Sequence, residues 1–369
     1  MANNSGSSLL ADYNEAYFTK IIPNTVVIFI FLVVGILGNT LVIYVYECRF
    51  PRSDGRCFIG PLAFFDLGAI IFTSALNLLQ NFMKFTFHGQ FLCKFVHFFS
   101  YAFINTSLFL WTIIAVQRYR KICKPFAWQM KKDRRKWLIL IFAVLALVFF
   151  SPILYFYGIN ENPLSYQDRN ITAYVCEQTK TDKAGLVLYQ GIGLILSLGN
   201  VICIICIYTV VLIKIYKVVR GARKSRSASI RSDSAPLTTL TSSKSISGEK
   251  SEQKGNTLSS ENSDQQNSKI RIQHRSTSSE TQKMEHTIAF TFMTILLIGL
   301  LSYAPSRTLL VYESIDPQFW KNWENFSYGE LNIFLFLRRS YIFNHSCNVF
   351  VYLFFDTMFR KEVKSLMGF

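Results

Sequence analysis

The sequence predicts an all-α membrane protein, built as a bundle of seven transmembrane helices. Of its 369 residues, 50% are hydrophobic and only 17% are charged. Four runs of the chain contain no charged residue, and the shortest of them has 23 residues. As a helix that rises about 1.5 Å per residue, such a run crosses the roughly 30 Å of bilayer hydrocarbon. These runs are 21–46, 95–117, 137–160 and 184–213.

Three further runs are long and apolar but contain ionisable residues, and they bring the number of predicted spans to seven. They are 57–83 around Asp66, 287–312 around Arg307, and 331–355 around Arg338 and Arg339. The first span follows about twenty polar residues and is too long for the h-region of a signal peptide. We therefore expect it to stay in the protein as an anchor.

Lysine and arginine are distributed unevenly between the segments that connect the spans. With the amino terminus outside, the outer segments hold 7 Lys and Arg against 10 acids, and the inner segments hold 29 against 12. This bias predicts a multi-pass plasma-membrane protein whose amino terminus is outside. Attraction to anionic lipid then explains the net charge of +16. Nucleic-acid binding is not expected, because the long basic segment lacks aromatic side chains.

The predicted topology divides the chain into five parts. They are an extracellular amino terminus (1–20), helices 1 to 5 (21–213), a long third cytoplasmic loop (214–286), helices 6 and 7 (287–355), and a cytoplasmic helix and tail (356–369). Within the loop, 221–283 holds 23 Ser or Thr among 63 residues, which predicts disorder. Basic residues beside Ser225 and Ser227 suit a kinase, so kinases and arrestin are candidate partners of the loop. A plain linker is the alternative.

Two features of the outer segments fit an oxidising compartment in which glycans are attached. The sequons at Asn3, Asn170 and Asn325 all lie in these segments. Of the eight cysteines, only Cys93 and Cys176 are predicted to face this side. We expect these two to form a disulfide, and two unpaired thiols are the alternative.

Short motifs follow one another along the chain in a set order. They are Gly38-Asn39, Leu62 to Asp66, Cys93 with Gln117-Arg118-Tyr119 about 25 residues later, Pro125-Phe126, Tyr208, Glu285 and Pro305 20 residues apart, Asn348 to Tyr352, and Phe359-Arg360. Together they resemble the rhodopsin-like (class A) G protein-coupled receptors, over about residues 20–365. The resemblance implies a receptor that activates a heterotrimeric G protein by outward movement of helix 6. It also implies a short amphipathic eighth helix in 356–369.

The resemblance assigns a switch to the inner ends of the spans. Arg118 lacks the usual neighbouring acid, because Gln117 takes its place, so we expect Arg118 to pair with Glu285 when no ligand is bound. Pro305 removes a helical hydrogen bond and lets the inner half of the sixth span swing. Because Gln117 cannot ionise, we expect elevated basal signalling. The alternatives are that Arg118 snorkels to the boundary and that Glu285 is a solvated loop acid. The coupling residues implied are Arg118, Tyr119, Tyr208, Glu285, Tyr303, Pro305, Asn348 and Tyr352, with Tyr303 at a position where the family has tryptophan.

The resemblance also implies a polar centre in the middle of the bundle. Asp66, Ser107, Asn344 and Asn348 match the residues around a water-filled sodium site, and their oxygen atoms suit a hard cation. His345 stands where a hydroxyl residue is usual. A hydrogen-bond network without an ion is therefore the alternative.

The residues expected to line the ligand pocket exclude two ligand classes. Ser100 stands where amine receptors have an aspartate, so a cationic amine has no counter-ion. The seventh span has no lysine for a retinal Schiff base, so no retinal is expected. Arg307 and Arg338 match pocket-facing positions and favour an acidic group. Pairing of Arg307 with an acid of the outer loops, such as Glu330, is the alternative. The other lining residues expected are Gln80, His97, Ser100 and Tyr101, and Arg339 is expected to face outward or toward another helix.

These features predict a receptor for an extracellular ligand, preferably a neuropeptide or another peptide with an acidic group. A receptor for a small anionic metabolite or lipid is the first alternative. A seven-span transporter or channel is more remote, since the sequence has no internal repeat. No paired aspartates, zinc-protease motif or Ser/His pair lies within the spans, so we do not expect an enzyme.

Overall fold

The computed structural model describes residues 2–50, 56–127, 132–179, 182–233, 258–316, 319–320 and 323–368. Six helices in this part of the chain are long and apolar enough to cross a membrane. They cover Ile22–Arg49, Ile59–Phe82, Gln90–Cys123, Asp133–Phe156, Lys183–Gly221 and Met284–Glu313.

The helices follow one another with short connections. The first elements are α1 (Ala2–Lys20), α2 (Ile22–Ile43) with a π-helical end (Tyr44–Arg49), α3 (Ile59–Phe82), α4 (Gln90–Cys123), α5 (Lys132–Phe150) and α6 (Ile153–Phe156). Two strands follow, β1 (Tyr157–Tyr166) and β2 (Arg169–Gln178). The remaining elements are α7 (Lys183–Asp233), α8 (Leu258–Ile315), a 3₁₀ turn (Trp323–Asn325), α9 (Tyr328–Arg339), α10 (Tyr341–Ser346), α11 (Asn348–Phe355) and α12 (Thr357–Leu366).

The seventh span is formed by α9, α10 and α11 in succession. None of these helices is long enough to cross a membrane alone, which is why the span is absent from the six. Ser340, between α9 and α10, directs its hydroxyl to the carbonyl oxygens of Leu337 and Ser302, at 2.8 and 2.5 Å. Such side-chain bonds compete with the regular helical pattern. The three helices complete the predicted seven-helix bundle, which is confirmed.

The spans pack around α4, which contacts α3, α5, α7 and α8. The seventh span closes the ring, since α10 contacts α2, α3 and α8. Gly38 allows a close approach between α2 and α11, because a Cβ atom at this position would lie 2.7 Å from Cγ1 of Val349. We call the end of the bundle that carries β1 and β2 the hairpin end, and the end that carries α12 the tail end.

The β-hairpin between the fourth and fifth spans departs from an all-α chain and was not predicted. Its strands pair from Tyr157 with Gln178 to Tyr166 with Arg169. Gln167 and Asp168 between them both have positive φ, at 51° and 59°, as a two-residue hairpin turn requires. Burial alternates along β2 as one face packs against the bundle. The alternation covers only a few residues between two long apolar spans, so it did not identify the hairpin in the sequence.

The long loop differs from its prediction in part. The backbone of α7 continues to Asp233 and that of α8 begins at Leu258, so helix extends into both ends of the segment predicted to be disordered. Residues 234–257 lie outside the described residues, as do the side chains around Ser225 and Ser227. Disorder of the loop, its use as a kinase site and the five-part division stay predictions.

Candidate functional site

The hairpin end is closed by a disulfide between Cys93, near the start of α4, and Cys176 on β2. This bond confirms the predicted pair, and the alternative of two free thiols is wrong. Gln80 donates from Nε2 to the carbonyl oxygen of Cys176 at 3.3 Å. β2 is therefore fastened to both α3 and α4 above the centre of the bundle.

The amino-terminal helix α1 forms a further part of this end that the sequence reasoning missed. Leu9, Tyr13 and Tyr17 are buried against β2 and the start of α9. The hydroxyl oxygen of Tyr13 accepts a hydrogen bond from Nε1 of Trp323 at 3.0 Å. Burial raises the pKa of Tyr13 to about 12. The spacing of these side chains, four residues apart, is the signal that identifies this apolar face.

Two arginines at the hairpin end have different surroundings. Arg338 contacts Glu313 through two nitrogens, with Nε at 2.5 Å and Nη2 at 3.1 Å from the carboxylate oxygens. Arg307 is an exposed residue, and the carbon of its guanidinium lies 6.0 Å from the ring centre of Tyr303. Among the side chains that the structure describes, no acid forms an ion pair with Arg307. The alternative of a pair with an acid of the outer loops is therefore wrong for the described residues, and Glu330, its example, instead forms a capping box with Ser327 at the start of α9.

Aromatic and polar side chains line the space beside these arginines. The hydroxyl of Tyr101 lies 3.2 Å from that of Tyr157 on β1. The ring of His97 lies 4.3 Å from the ring of Tyr157, and its Nδ1 bonds the carbonyl of Cys93 at 2.9 Å. Ser100 is buried, and within the described residues its Oγ has no hydrogen-bond partner. His97, Ser100 and Tyr101 thus lie together on α4 under β1, whereas Gln80, the fourth expected lining residue, lies on α3.

Lys84, directly after α3, adds a charge that the sequence reasoning did not single out. It is half-buried. Burial lowers the pKa of Lys84 to about 8, and Arg338 and Arg339 lower it further while Glu177 and Glu313 oppose the shift. A basic residue at the end of an apolar run was the sequence signal that could have identified Lys84 as a charge near the pocket-facing arginines.

Arg339 is buried and holds three spans together. It donates to the side-chain oxygens of Asn24 on α2 and of Asn81 on α3, the latter at 2.8 Å. It therefore faces neighbouring helices, one of the two orientations expected for it.

The centre of the bundle is organised around Asp66, which is fully buried. One carboxylate oxygen, Oδ1, accepts from Ser107 at 2.6 Å and from Nδ1 of His345 at 2.7 Å. The other oxygen, Oδ2, accepts from Nδ2 of Asn348 at 2.6 Å. Nε2 of His345 lies 2.9 Å from the hydroxyl of Tyr303. Hydrogen bonds thus connect α3, α4, α8, α10 and α11.

Asn344 is the one member of the expected set that does not contact Asp66 in this network. Both its side-chain oxygen and its nitrogen are buried and have no hydrogen-bond partner within the described part of the chain. The side chain faces Gly299 on α8. Sodium takes several oxygen ligands, and within the described residues the side-chain oxygens of Asn344 and Asn348 are buried without a hydrogen-bond partner. The imidazole of His345, however, contacts Oδ1 of Asp66 and supplies no oxygen. With His345 in this position, the residues fit a hydrogen-bond network and not the ion.

The tail end contains a buried ion pair. Nη1 of Arg118 lies 2.6 Å from Oε2 of Glu285, and Nζ of Lys121 lies 2.7 Å from Oε1 of the same carboxylate. Nη2 of Arg118 donates to Oε1 of Gln117 at 3.0 Å. The side chain of Arg118 is 0% exposed and that of Glu285 is 15% exposed. Both alternatives are therefore wrong, since Arg118 does not snorkel and Glu285 is not a solvated loop acid.

Three more of the expected coupling residues, Tyr119, Tyr208 and Tyr352, lie toward the tail end of the bundle. Tyr208 is buried beside Trp111 and Phe292, where the three line a small apolar cavity. Tyr119 packs on the α7 and α8 side chains near the pair. The hydroxyl of Tyr352 is buried without a hydrogen-bond partner among the described residues. Whether these residues couple to a G protein stays a prediction.

Asp356 joins α12 to the remainder of the tail end. It accepts hydrogen bonds from the backbone N–H groups of Met358 and Phe359, which caps α12. Its carboxylate also accepts from the hydroxyl of Tyr46 at 2.8 Å, and Nε of Arg56 lies 3.1 Å away. The expected eighth helix is therefore present and anchored to the end of α2.

Two of the three predicted glycosylation sites have an exposed asparagine. Asn170 and Asn325 are exposed at the hairpin end. Asn3 lies among residues whose side chains the structure does not describe. Glycosylation of all three stays a prediction.

Comparison with known proteins gives one family and several relatives. The family model described as "7 transmembrane receptor (rhodopsin family)" matches residues 38–352. The cholecystokinin receptor type A of Mus musculus is 32% identical over 153 residues, 40% of this chain and 34% of the relative. The QRFP-like peptide receptor of Branchiostoma floridae is 29% identical over 147 residues, 39% of each protein. The pyroglutamylated RF-amide peptide receptor of Rattus norvegicus is 31% identical over 121 residues, 32% of this chain and 27% of the relative. The chain therefore spans about a third of the length of these relatives.

Proposed function

Because the chain belongs to the rhodopsin family of seven-transmembrane receptors, we propose that it is a cell-surface receptor for an extracellular peptide with an acidic group. It lies in the plasma membrane with the hairpin end and the amino terminus outside. It performs no catalysis. Ligand binding favours a state in which the tail end opens to a heterotrimeric G protein. Kinases and arrestin act on the Ser-rich loop.

The orientation is supported by charge and by chemistry. The segments at the tail end carry the positive charge that favours the cytoplasmic side. The disulfide between Cys93 and Cys176 lies at the hairpin end, and disulfides persist in oxidising surroundings. Both observations agree with a hairpin end that faces outward.

Arg307, an exposed residue, carries the proposal of an acidic ligand. It lies in the outer part of the bundle without an acidic partner among the described side chains, and a positive charge placed there attracts an anion. Arg338 is the second cation, although a ligand carboxylate must share it with Glu313 or displace Glu313 from it. Two of the relatives are named as peptide receptors, and these names favour a peptide ligand.

A small anionic metabolite or lipid is the second candidate ligand. The same two guanidiniums bind a carboxylate or phosphate, whichever molecule carries it. A seven-span transporter or channel remains the more remote alternative, and ligand-gated current without G protein activation would favour it.

The test is a screen of peptides and small anions on cells that express the protein, with G protein activation as the readout. Arg307→Gln removes the charge and keeps a polar side chain. Loss of a hydrogen bond between charged groups is worth about 1.5–3 kcal/mol, so we expect the potency of an acidic agonist to fall roughly 10- to 100-fold. Arg307→Lys should restore part of it. Arg169→Gln, at the exposed hairpin turn, is the matched control and should have no effect.

The outcomes separate the candidates. An acidic peptide whose potency depends on Arg307 supports the proposal. A small anion with the same dependence favours the second candidate. A cationic ligand whose potency is unchanged by Arg307→Gln and by Arg338→Gln would contradict an acidic ligand of either kind.

A further inference from the structure

The ring of His345 is held at both of its nitrogen atoms. The carboxylate of Asp66 only accepts hydrogen bonds when ionised, so Nδ1 of His345, at 2.7 Å from it, carries a hydrogen. In the neutral ring Nε2 then accepts from the hydroxyl of Tyr303 at 2.9 Å. This arrangement gives every polar atom of the ring a suitable partner, and it fixes the ring between α3 and α8.

The carboxylate of Asp66 is already stabilised by three hydrogen bonds from the protein. Ser107, His345 and Asn348 each donate to it at 2.6–2.7 Å. Bonds of this length to a charged acceptor are about twice as strong as neutral ones, and low surrounding polarity strengthens them further. These three bonds replace the hydration that the buried carboxylate has lost, so it is stabilised without a metal ion.

The position beside Oδ1 of Asp66 is also filled. Nδ1 of His345 presents a hydrogen, which carries partial positive charge, toward this oxygen. A cation that approaches Oδ1 meets that hydrogen and must displace a fully buried imidazole from both Asp66 and Tyr303. The imidazole of His345 thus occupies a position that the expected sodium site would need for the ion or one of its oxygen ligands.

We propose that His345 takes the place of a bound cation at Asp66, so that the centre of this bundle is closed to sodium. The imidazole connects Asp66 on α3 directly to Tyr303 on α8, two residues before Pro305. The link between the polar centre and the sixth span is therefore a permanent part of the chain and does not depend on the sodium concentration. This inference concerns the core and holds whatever ligand the receptor binds.

The test compares the thermal unfolding of the purified full-length receptor in sodium chloride and in choline chloride, both at an ionic strength of about 0.15 M. An ion that binds only the folded state raises the Tm. We expect the wild-type Tm to be the same in the two salts. We expect His345→Ser, which supplies an oxygen in place of the imidazole, to gain a sodium-specific rise of about 2 °C or more. Adding Asp66→Asn to this variant should abolish the rise.

Two results would overturn the inference. The first is a sodium-specific rise in the wild-type Tm that Asp66→Asn removes, because the centre then binds the ion with His345 in place. The second is a folded His345→Ser variant without any sodium-specific rise, because His345 is then not what closes the centre. If no His345 variant folds, the wild-type comparison decides alone, and equal values in the two salts support the inference.

Discussion

The ion pair between Arg118 and Glu285 predicts how strongly the resting state is held. The substitution Glu285→Gln removes the negative charge and keeps a side chain of the same shape. Breaking a buried ion pair by removing one partner costs about 3–5 kcal/mol when the other charge is left uncompensated. Here Arg118 keeps a contact with Gln117 at 3.0 Å, so we expect a smaller effect of about 1.5–3 kcal/mol, as for a hydrogen bond to a charged group.

This free energy favours the closed state, so its loss shifts the balance toward the open state. Since each 1.4 kcal/mol is a tenfold change, the ratio of open to closed receptor should rise roughly 10- to 100-fold. The assay is ligand-independent G protein activation in transfected cells, at matched surface expression. Gln117→Asp gives the reciprocal test, because a carboxylate beside Arg118 should strengthen the closed state and lower the basal signal below that of the wild type.

Glu362→Gln is the matched control for this experiment. Glu362 lies 2.6 Å from Arg49, the same separation as in the buried pair, but the two side chains are 24% and 45% exposed. Exposed pairs contribute about 0–1 kcal/mol, so this variant should leave the basal signal unchanged. Equal basal signals for Glu285→Gln and the wild type, or an equal rise in Glu362→Gln, would refute the reasoning.

Three further predictions concern other parts of the bundle. Cys93→Ser and Cys176→Ser should each reduce surface expression or agonist potency, and the double variant should be no worse than either. Flow cytometry measures the surface expression, and dose–response curves measure the potency. A normal response in both single variants would contradict the role of the bond. Lys84 has a pKa lowered to about 8, so its positive charge is present below this pH and lost above it. The potency of an acidic agonist should therefore fall between about pH 7 and pH 9. The variant Lys84→Met should make the potency less dependent on pH. Asp356→Ala removes the cap of α12 and the partner of Tyr46, so the Tm should fall by several degrees for a loss of about 1–3 kcal/mol. The variant Asp356→Asn keeps a cap, so its Tm should fall less than that of Asp356→Ala. Equal falls in Tm for the two variants would argue against the capping role.

Part of the site could be predicted from local sequence. Arg118 and Glu285 were expected to meet because short motifs fix their places on two spans, and Cys93 and Cys176 because only two cysteines lie on one side. The packing of α1 could not be predicted in the same way. Its apolar face needs β2 and α9 as partners, and the sequence does not state that these come together.

The sequence by itself determined the seven spans and the side on which charge accumulates. The free energy of transferring apolar side chains into a bilayer is a sum over the residues of a segment. The spans can therefore be identified from the sequence without knowing any contact between them. The partners of the buried polar groups were decided only by the tertiary structure. His345 and Asp66 are 279 residues apart in the chain, and Arg338 and Glu313 lie on different helices. Which donor reaches which carboxylate depends on the rotation and depth of each helix against its neighbours, and packing among all of the spans sets these.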